Sequence, residues 1–272
     1  MAAYKERFFL NYGPMQILLQ AEFSHANGEK TLLFAAEYAK EQLRMLTTYK
    51  QIAFLPQNAE RDMQQIPDVL KKMLAAVELA GDVSLTPMAA VAGAMADQIA
   101  DFLQAEGATR ILVNNGGDIA IRLQAGEKVR IGLQTKGAID FLPVFEVAVD
   151  ENIGGIATSG LGGRSLSKGI ANAAMVTAAS AALADACATS FANAVYEPHK
   201  HIRLVRAEEL DPLTDIRGHF VVKEAGVLPL KVIQTALENG GRVAEKMLKK
   251  GVISKAAAWI GTQGIFLPEG AF

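Results

Sequence analysis

The stretch Val113-Asn114-Asn115-Gly116-Gly117-Asp118-Ile119 decides how this chain is read. It joins two strand-like runs, Arg110–Val113 and Ile119–Leu123, so two carboxamides, two glycines and a carboxylate meet in a tight turn. Glycine there permits close backbone approach or a positive φ. Asn and Asp supply donors and a hard anionic oxygen. Hairpins use the same residues, and taken alone the turn reads first as a hairpin. Two later stretches shift the balance: Ile156-Ala157-Thr158-Ser159-Gly160-Leu161-Gly162-Gly163-Arg164 and Ala184-Asp185-Ala186-Cys187-Ala188-Thr189.

In the first of these, Gly160, Gly162 and Gly163 could present consecutive N–H groups as an anion nest. Thr158 and Ser159 add hydroxyl donors, and Arg164 can clamp a phosphate bidentately. A plain surface loop is the alternative. In the second, Asp185 and Thr189 stand four residues apart on a helix that is otherwise nearly all small. Asn193 extends the polar stripe by another turn. A carboxylate near the core is costly unless paired or metal-bound, and carboxylate, hydroxyl and carbonyl form an oxygen set suited to Mg²⁺. A hydrogen-bonded structural Asp is the alternative.

Other chemistries lack their signatures. There is no phosphate loop with the required Lys-Ser/Thr spacing, no Gly-x-Gly-x-x-Gly between strand and helix, no His-Glu-x-x-His and no Gly-x-Ser-x-Gly. His199 and His201 could project from one side of a strand, but no third metal ligand accompanies them. The one cysteine, Cys187, excludes an intrachain disulfide and reads as a small buried hydrophobe.

The 272 residues, 50% apolar, can bury a full core, and no linker or charge block divides them, so one domain over 1–272 is expected. A net charge of −2 gives no argument for nucleic acid or an anionic membrane as partner. No signal peptide or membrane-length apolar run is evident, and a cytoplasmic location is the default.

A hairpin is expected first, Arg7–Tyr12 and Met15–Phe23 about Gly13-Pro14. Helices are predicted over Leu33–Tyr49 and Met63–Leu79, the latter with its true first turn at Pro67, and a strand over Gln51–Leu55. Thr86 is predicted to cap a slender helix running to Gln104. Asp97 and Asp101 share a face of it and read as a solvated acidic edge or as a site. Strands over 110–113, 119–123, 129–133, 144–149 and 155–158 suggest an antiparallel meander. A strand over 173–178 should enter a helix from Ser180 to Val195. Short strands follow at His201–Val205 and His219–Val222, then a helix over Leu230–Lys250 weakened at Gly240-Gly241, and a late strand, Ala256–Ile260. No internal repeat of fixed period is visible.

Taken together, the three motifs resemble the ApbE-like superfamily, whose best-known members are FAD:protein FMN transferases. Asn114-Asn115-Gly116-Gly117-Asp118 resembles the family's Asn-x-Gly-Gly-Asp turn. Ala157-Thr158-Ser159-Gly160 matches its Ala-Thr-Ser-Gly, and Ala184-Asp185-Ala186-Cys187-Ala188-Thr189 its Ala-Asp-Ala-x-Ala-Thr. Gly93-Ala94-Met95-Ala96-Asp97 resembles the end of its Gly-Tyr-Ala-x-Asp helix motif. The likeness spans about residues 84–196 and is closest to an uncharacterised branch. It implies an α+β fold of antiparallel sheet and packed helices, T-fold-like, and a cleft for FAD or a related phosphorylated ligand. It also implies Mg²⁺ on Asp185, Thr189 and a main-chain carbonyl near Val91, and an acceptor protein if FMN is transferred. Two departures stand out: Ala92 holds the transferases' Lys position, and Lys168-Gly169-Ile170-Ala171-Asn172 replaces their His and Asp-Pro. A flavin-binding module without turnover, or a scaffold used only for homo-oligomer assembly, are the alternatives.

Overall fold

The computed structural model describes residues 4–24, 26–61, 65–132 and 144–270. The chain opens with the expected hairpin, β1 (Tyr4–Tyr12) and β2 (Met15–Phe23). Met15, Ile17, Leu19, Ala21 and Phe23 are buried in strict alternation, so one face of β2 meets the core. Helix α1 (Gly28–Thr48) begins five residues before the apolar stripe suggests. The stretch at 51–55 is not a strand: α2 (Lys50–Ala53) is one helical turn, its Ala53 N–H bonding Tyr49 O. A short apolar run fits either state, and here continuity with α1 settles it.

Helix α3 (Asp68–Ala80) starts after an extended Pro67; the predicted start at Met63 lies outside the described residues. A 3₁₀ turn, Pro87–Ala90, precedes α4 (Val91–Ala105). Thr86 occupies the cap position without capping, because its hydroxyl donates instead to Asp215.

Strands β3 (Ala108–Asn115) and β4 (Asp118–Arg122) form the hairpin around the Gly-Gly turn. The expected simple meander is then broken. β5 (Lys128–Gly132) and β6 (Val144–Ala148) pair only with each other, and β4 pairs with β7 (Gly155–Ser159). Leu133, predicted to end β5, is outside the described residues. β8 (Ala173–Ala178) leads into α5 (Ala181–Ala194), where Ser180 Oγ accepts the Leu183 N–H as a true N-cap.

A small excursion follows: β9 (Ile202–Arg206), α6 (Ala207–Leu210) and β10 (Phe220–Ala225). α7 (Leu230–Lys249) runs unbroken through Gly240 and Gly241, which are buried. A Cβ at Gly240 would lie 2.4 Å from Val195 Cγ2, so these glycines serve packing rather than weakness. β11 (Lys255–Ile260) pairs with β12 (Gln263–Leu267), a strand the sequence reading lacks.

One eight-stranded antiparallel sheet results, in the order β1-β2-β3-β4-β7-β8-β11-β12. The chain traverses it twice in one pattern, with hairpin, helices, hairpin over 4–122 and again over 155–267. α1, α4, α5 and α7 pack against one face. The other face carries the β5–β6 ribbon, whose Val129, Ile131 and Val147 cover Ile119, Ile156, Met175 and Trp259. α5 touches β7, β8, α3, α4 and α7. Only a helix of small side chains fits so crowded a position, which explains its alanines. Among the described residues no helix is long and apolar enough to cross a membrane.

Candidate functional site

The β3–β4 turn is both hairpin and rim. Asn115 pairs with Asp118 in register, leaving Gly116 (φ +71°) and Gly117 (φ +117°) as the two turn residues. Asn114 Oδ1 accepts the Gly117 N–H at 2.9 Å and closes the turn. Buried Asn115 donates to Ala92 O at 3.2 Å, fastening the turn to the start of α4. A Cβ at Gly116 would lie 2.1 Å from Arg164 Nη2, so glycine makes room for the guanidinium. Arg164 also reaches Pro14 O and Gln16 Oε1, at 3.4 and 3.5 Å. Asp118 is buried, and its Oδ1 accepts the Thr158 N–H at 3.3 Å.

Helices α4 and α5 cross with almost no space between them. A Cβ at Gly93 would fall 2.2 Å from Ala181 O. Each helix lends an aspartate to the other's first turn: Asp185 Oδ2 accepts the Gly93 N–H at 3.0 Å, and Asp97 Oδ2 accepts the Ala182 N–H at 2.8 Å. Asp97 is buried and bonded to Arg122 at 3.0 Å. Asp101 bonds Arg122 at 2.7 Å and Lys72 at 2.9 Å. The pair is therefore an ion-pair network, not the solvated edge that its spacing suggests.

These elements enclose a cleft of about 500 Å³. Of the residues singled out in the sequence, Val91, Gly116, Asp118, Thr158, Ser159, Gly163, Arg164, Asp185 and Thr189 line it. Asn114, Asn115, Gly117, Gly160 and Gly162 do not line it. The expected nest does not form. The N–H groups of Leu161, Gly162 and Gly163 are bonded to Ala171 O, Asn172 O and Gly160 O, so the glycines fold the loop onto the neighbouring chain. Thr189 and Asn193 follow Asp185 along the cleft side of α5, as the i, i+4 spacing predicts.

Burial pushes the Asp118 carboxyl up to about 7, against the opposing pull of the Thr158 amide and Arg164. Asp185 is raised well above the usual carboxylate range by burial and by the charge of Asp118, despite its amide partners. Among the described residues neither carboxylate has an ion-pair partner. Two carboxylates raised by burial, one of them further by the charge of the other, beside a hydroxyl, fit a hard divalent cation. Among the described residues no three His, Cys, Asp or Glu side chains converge on a metal position, so the candidate set is this mixed one. His199, half-buried, and His201, exposed, precede β9 with rings 4.8 Å apart. Cys187 is buried, and burial pushes its thiol up to about 12.

Comparison with known proteins decides the kinship. A family model described as "AbpE bacteria" matches residues 1–266. The chain belongs to the bacterial ApbE family. A UPF0280 protein of Methanopyrus kandleri is 32% identical over 237 residues, covering 82% of this chain and 92% of its own length. One of Methanocaldococcus jannaschii is 34% identical over 189 residues, 67% of this chain and 72% of the relative. The apo crystal structure of Pseudomonas stutzeri flavinyl transferase ApbE aligns with a TM-score of 0.50 at 16% identity, over 70% of this chain and 84% of that one. This likeness shows the fold, an α+β arrangement of antiparallel sheet and helices.

In this ApbE-family chain the cleft has a further wall that no motif announced. Lys168, Asp211, Thr214 and Asp215 line it, the last three from the excursion between α6 and β10. The loop dipeptide Asp211-Pro212 was visible in sequence, but nothing in it pointed toward the cleft. Thr86, read as a helix cap, lines the same wall and holds Asp215.

Proposed function

We propose that this cleft binds a flavin nucleotide, or a closely related phosphorylated nucleotide, together with Mg²⁺. The observation that carries the reading is the pair Asp118 and Asp185 on the cleft wall, both raised by burial and, among the described residues, neither in an ion pair. Asp185, Thr189 and the Val91 carbonyl would hold the cation, which would neutralise phosphate oxygens. Arg164, with the Thr158 and Ser159 hydroxyls, would orient the phosphates from the opposite side. Asn114, Asn115, Gly116 and Gly117 set the turn that carries Asp118, while Gly160, Gly162 and Gly163 shape the loop that carries Arg164. The reading treats residues 1–272 as one unit, since both halves of the sheet supply cleft residues.

A second reading, transfer of FMN to an acceptor protein's hydroxyl with release of AMP, is favoured by the fold shared with the flavinyl transferase. Both meet in one experiment. Thermal unfolding is followed with FAD, with MgCl₂ and with both. FAD and Mg²⁺ together should stabilise by about 2.7 kcal/mol at a hundredfold excess over Kd. Asp185→Ala should abolish the Mg²⁺-dependent part. No stabilisation by FAD in any combination defeats the binding reading, and AMP release on adding a candidate acceptor separates transfer from binding.

A further inference from the structure

A second cavity, about 490 Å³, adjoins the cleft and shares Ser84, Lys168 and Asn193 with it. Its lining combines two features rarely left together on a surface. Leu79 and Val83 are 59% and 70% exposed, large apolar side chains that fold no core. Around them stand Lys168, Lys246 and Lys250. Among the described residues none of these three ammonium groups has an ion-pair partner. Lys246 and Lys250 are one turn apart near the end of α7, and Lys168 lines both this cavity and the cleft.

The one carboxylate in the lining, Asp82, is already engaged. Its Oδ1 accepts the Ser84 N–H at 3.0 Å and its Oδ2 the Ser190 hydroxyl at 2.8 Å. Burial lowers the pKa of Lys168, and the charges of Asp82 and Asp215 offset this only in part. A half-buried cation gains from an anion that replaces its lost hydration. The exposed apolar wall gains from an apolar body that covers it.

We infer that this cavity is a separate binding site for a small organic anion, a carboxylate, sulfonate or phosphate ester carried on an apolar or aromatic body. Lys246 and Lys250 hold the anionic group from α7, and Lys168 meets it from the partition with the cleft. Leu79, Val83 and Val252 take the apolar part. The inference does not depend on flavin binding in the cleft.

The test uses two dyes with the same apolar body, 1-anilinonaphthalene-8-sulfonate and the uncharged N-phenyl-1-naphthylamine. Fluorescence titration of the full chain should show a single saturable sulfonate site, bound at least about tenfold more tightly than the neutral dye. The double variant K246E/K250E should weaken the sulfonate by about tenfold or more, with its melting temperature and any FAD-dependent stabilisation unchanged. Both side chains are exposed, so folding is not at risk. Asp185→Ala, which acts on the cleft, should leave dye affinity as it was. Equal affinity for the two dyes, indifference to charge reversal, or loss of binding in Asp185→Ala would each overturn the assignment.

Discussion

The two halves of the sheet present the same contact with opposite consequences. From the first half, Asp97 on α4 accepts an amide at the start of α5; from the second, Asp185 on α5 accepts an amide at the start of α4. Burial raises both carboxylates. Asp97, however, has Arg122 against it, and Arg122 in turn holds Asp101. Asp185 has Asp118 nearby instead, a second negative charge that pushes it further up. One helix cross-cap is thus locked with a cation supplied by the protein. The other is left facing a cleft, where the proposed Mg²⁺ would complete it. The difference shows how a doubled scaffold can compensate a buried carboxylate in one copy and leave its counterpart on a cleft wall in the other.

The comparison is broken most forcefully by pH. Burial pushes the Asp118 carboxyl up to about 7 in the folded state, from 3.8 when free. A raised carboxylate contributes stability that is complete below about pH 4 and lost as pH climbs through about 7, on the order of 4 kcal/mol in full. Without divalent cation, urea denaturation should therefore show stability falling between pH 4 and 8. Asp118→Asn should flatten that slope, and saturating Mg²⁺ should oppose it; an unchanged slope in the variant removes the claim.

Next in size is Asp97→Asn, which keeps the hydrogen-bond acceptor but strips Arg122 of a buried partner. The expected loss is about 3 kcal/mol in chemical denaturation, at the low end for a broken buried pair because Asp101 remains. Gly93→Ala attacks the crossing that both cross-caps share. Helix propensity gains about 1 kcal/mol, yet the new methyl meets backbone at Ala181, and a net loss of about 2 kcal/mol is expected. A crystal structure of the variant with α4 and α5 unmoved would contradict this.

Asp185→Asn sharpens the contrast by reversing the sign. The amide still accepts from Gly93, while a buried charge beside Asp118 disappears. At pH 8 the metal-free variant should gain about 1 kcal/mol even as Mg²⁺-dependent stabilisation vanishes. The smallest effect is expected at half-exposed Asp101, where removal to Ala should cost about 0.5 kcal/mol, measured by the same unfolding curves.

Much of the local structure was legible without coordinates. Alternation in β2, the stripe of α3 and the span of α5 after Ser180 all lie where the pattern puts them. So do the turn at Gly116-Gly117 and the polar row Asp185, Thr189, Asn193. Misreadings arose where a short run suits two states, as at 51–55, or where a residue's partner is remote. Thr86 looks like a cap because Pro87 follows it, but Asp215, 129 residues away, takes its hydroxyl. Gly160, Gly162 and Gly163 look like a nest, yet the carbonyls of Ala171 and Asn172 take the Leu161 and Gly162 amides and Gly160 O takes that of Gly163.

Sequence by itself determined most of the elements, the kin and the list of polar residues worth watching, because periodicity and turns act over a few residues. Only tertiary structure decided which aspartate is neutralised. Asp97 and Arg122 lie 25 positions apart, and Gly93 and Asp185 lie 92 apart, so neither pairing leaves a trace in local pattern. Charge compensation depends on which side chains packing brings within reach. In this chain the crossing of α4 and α5 places one carboxylate against Arg122 and leaves the other on the cleft wall beside Asp118.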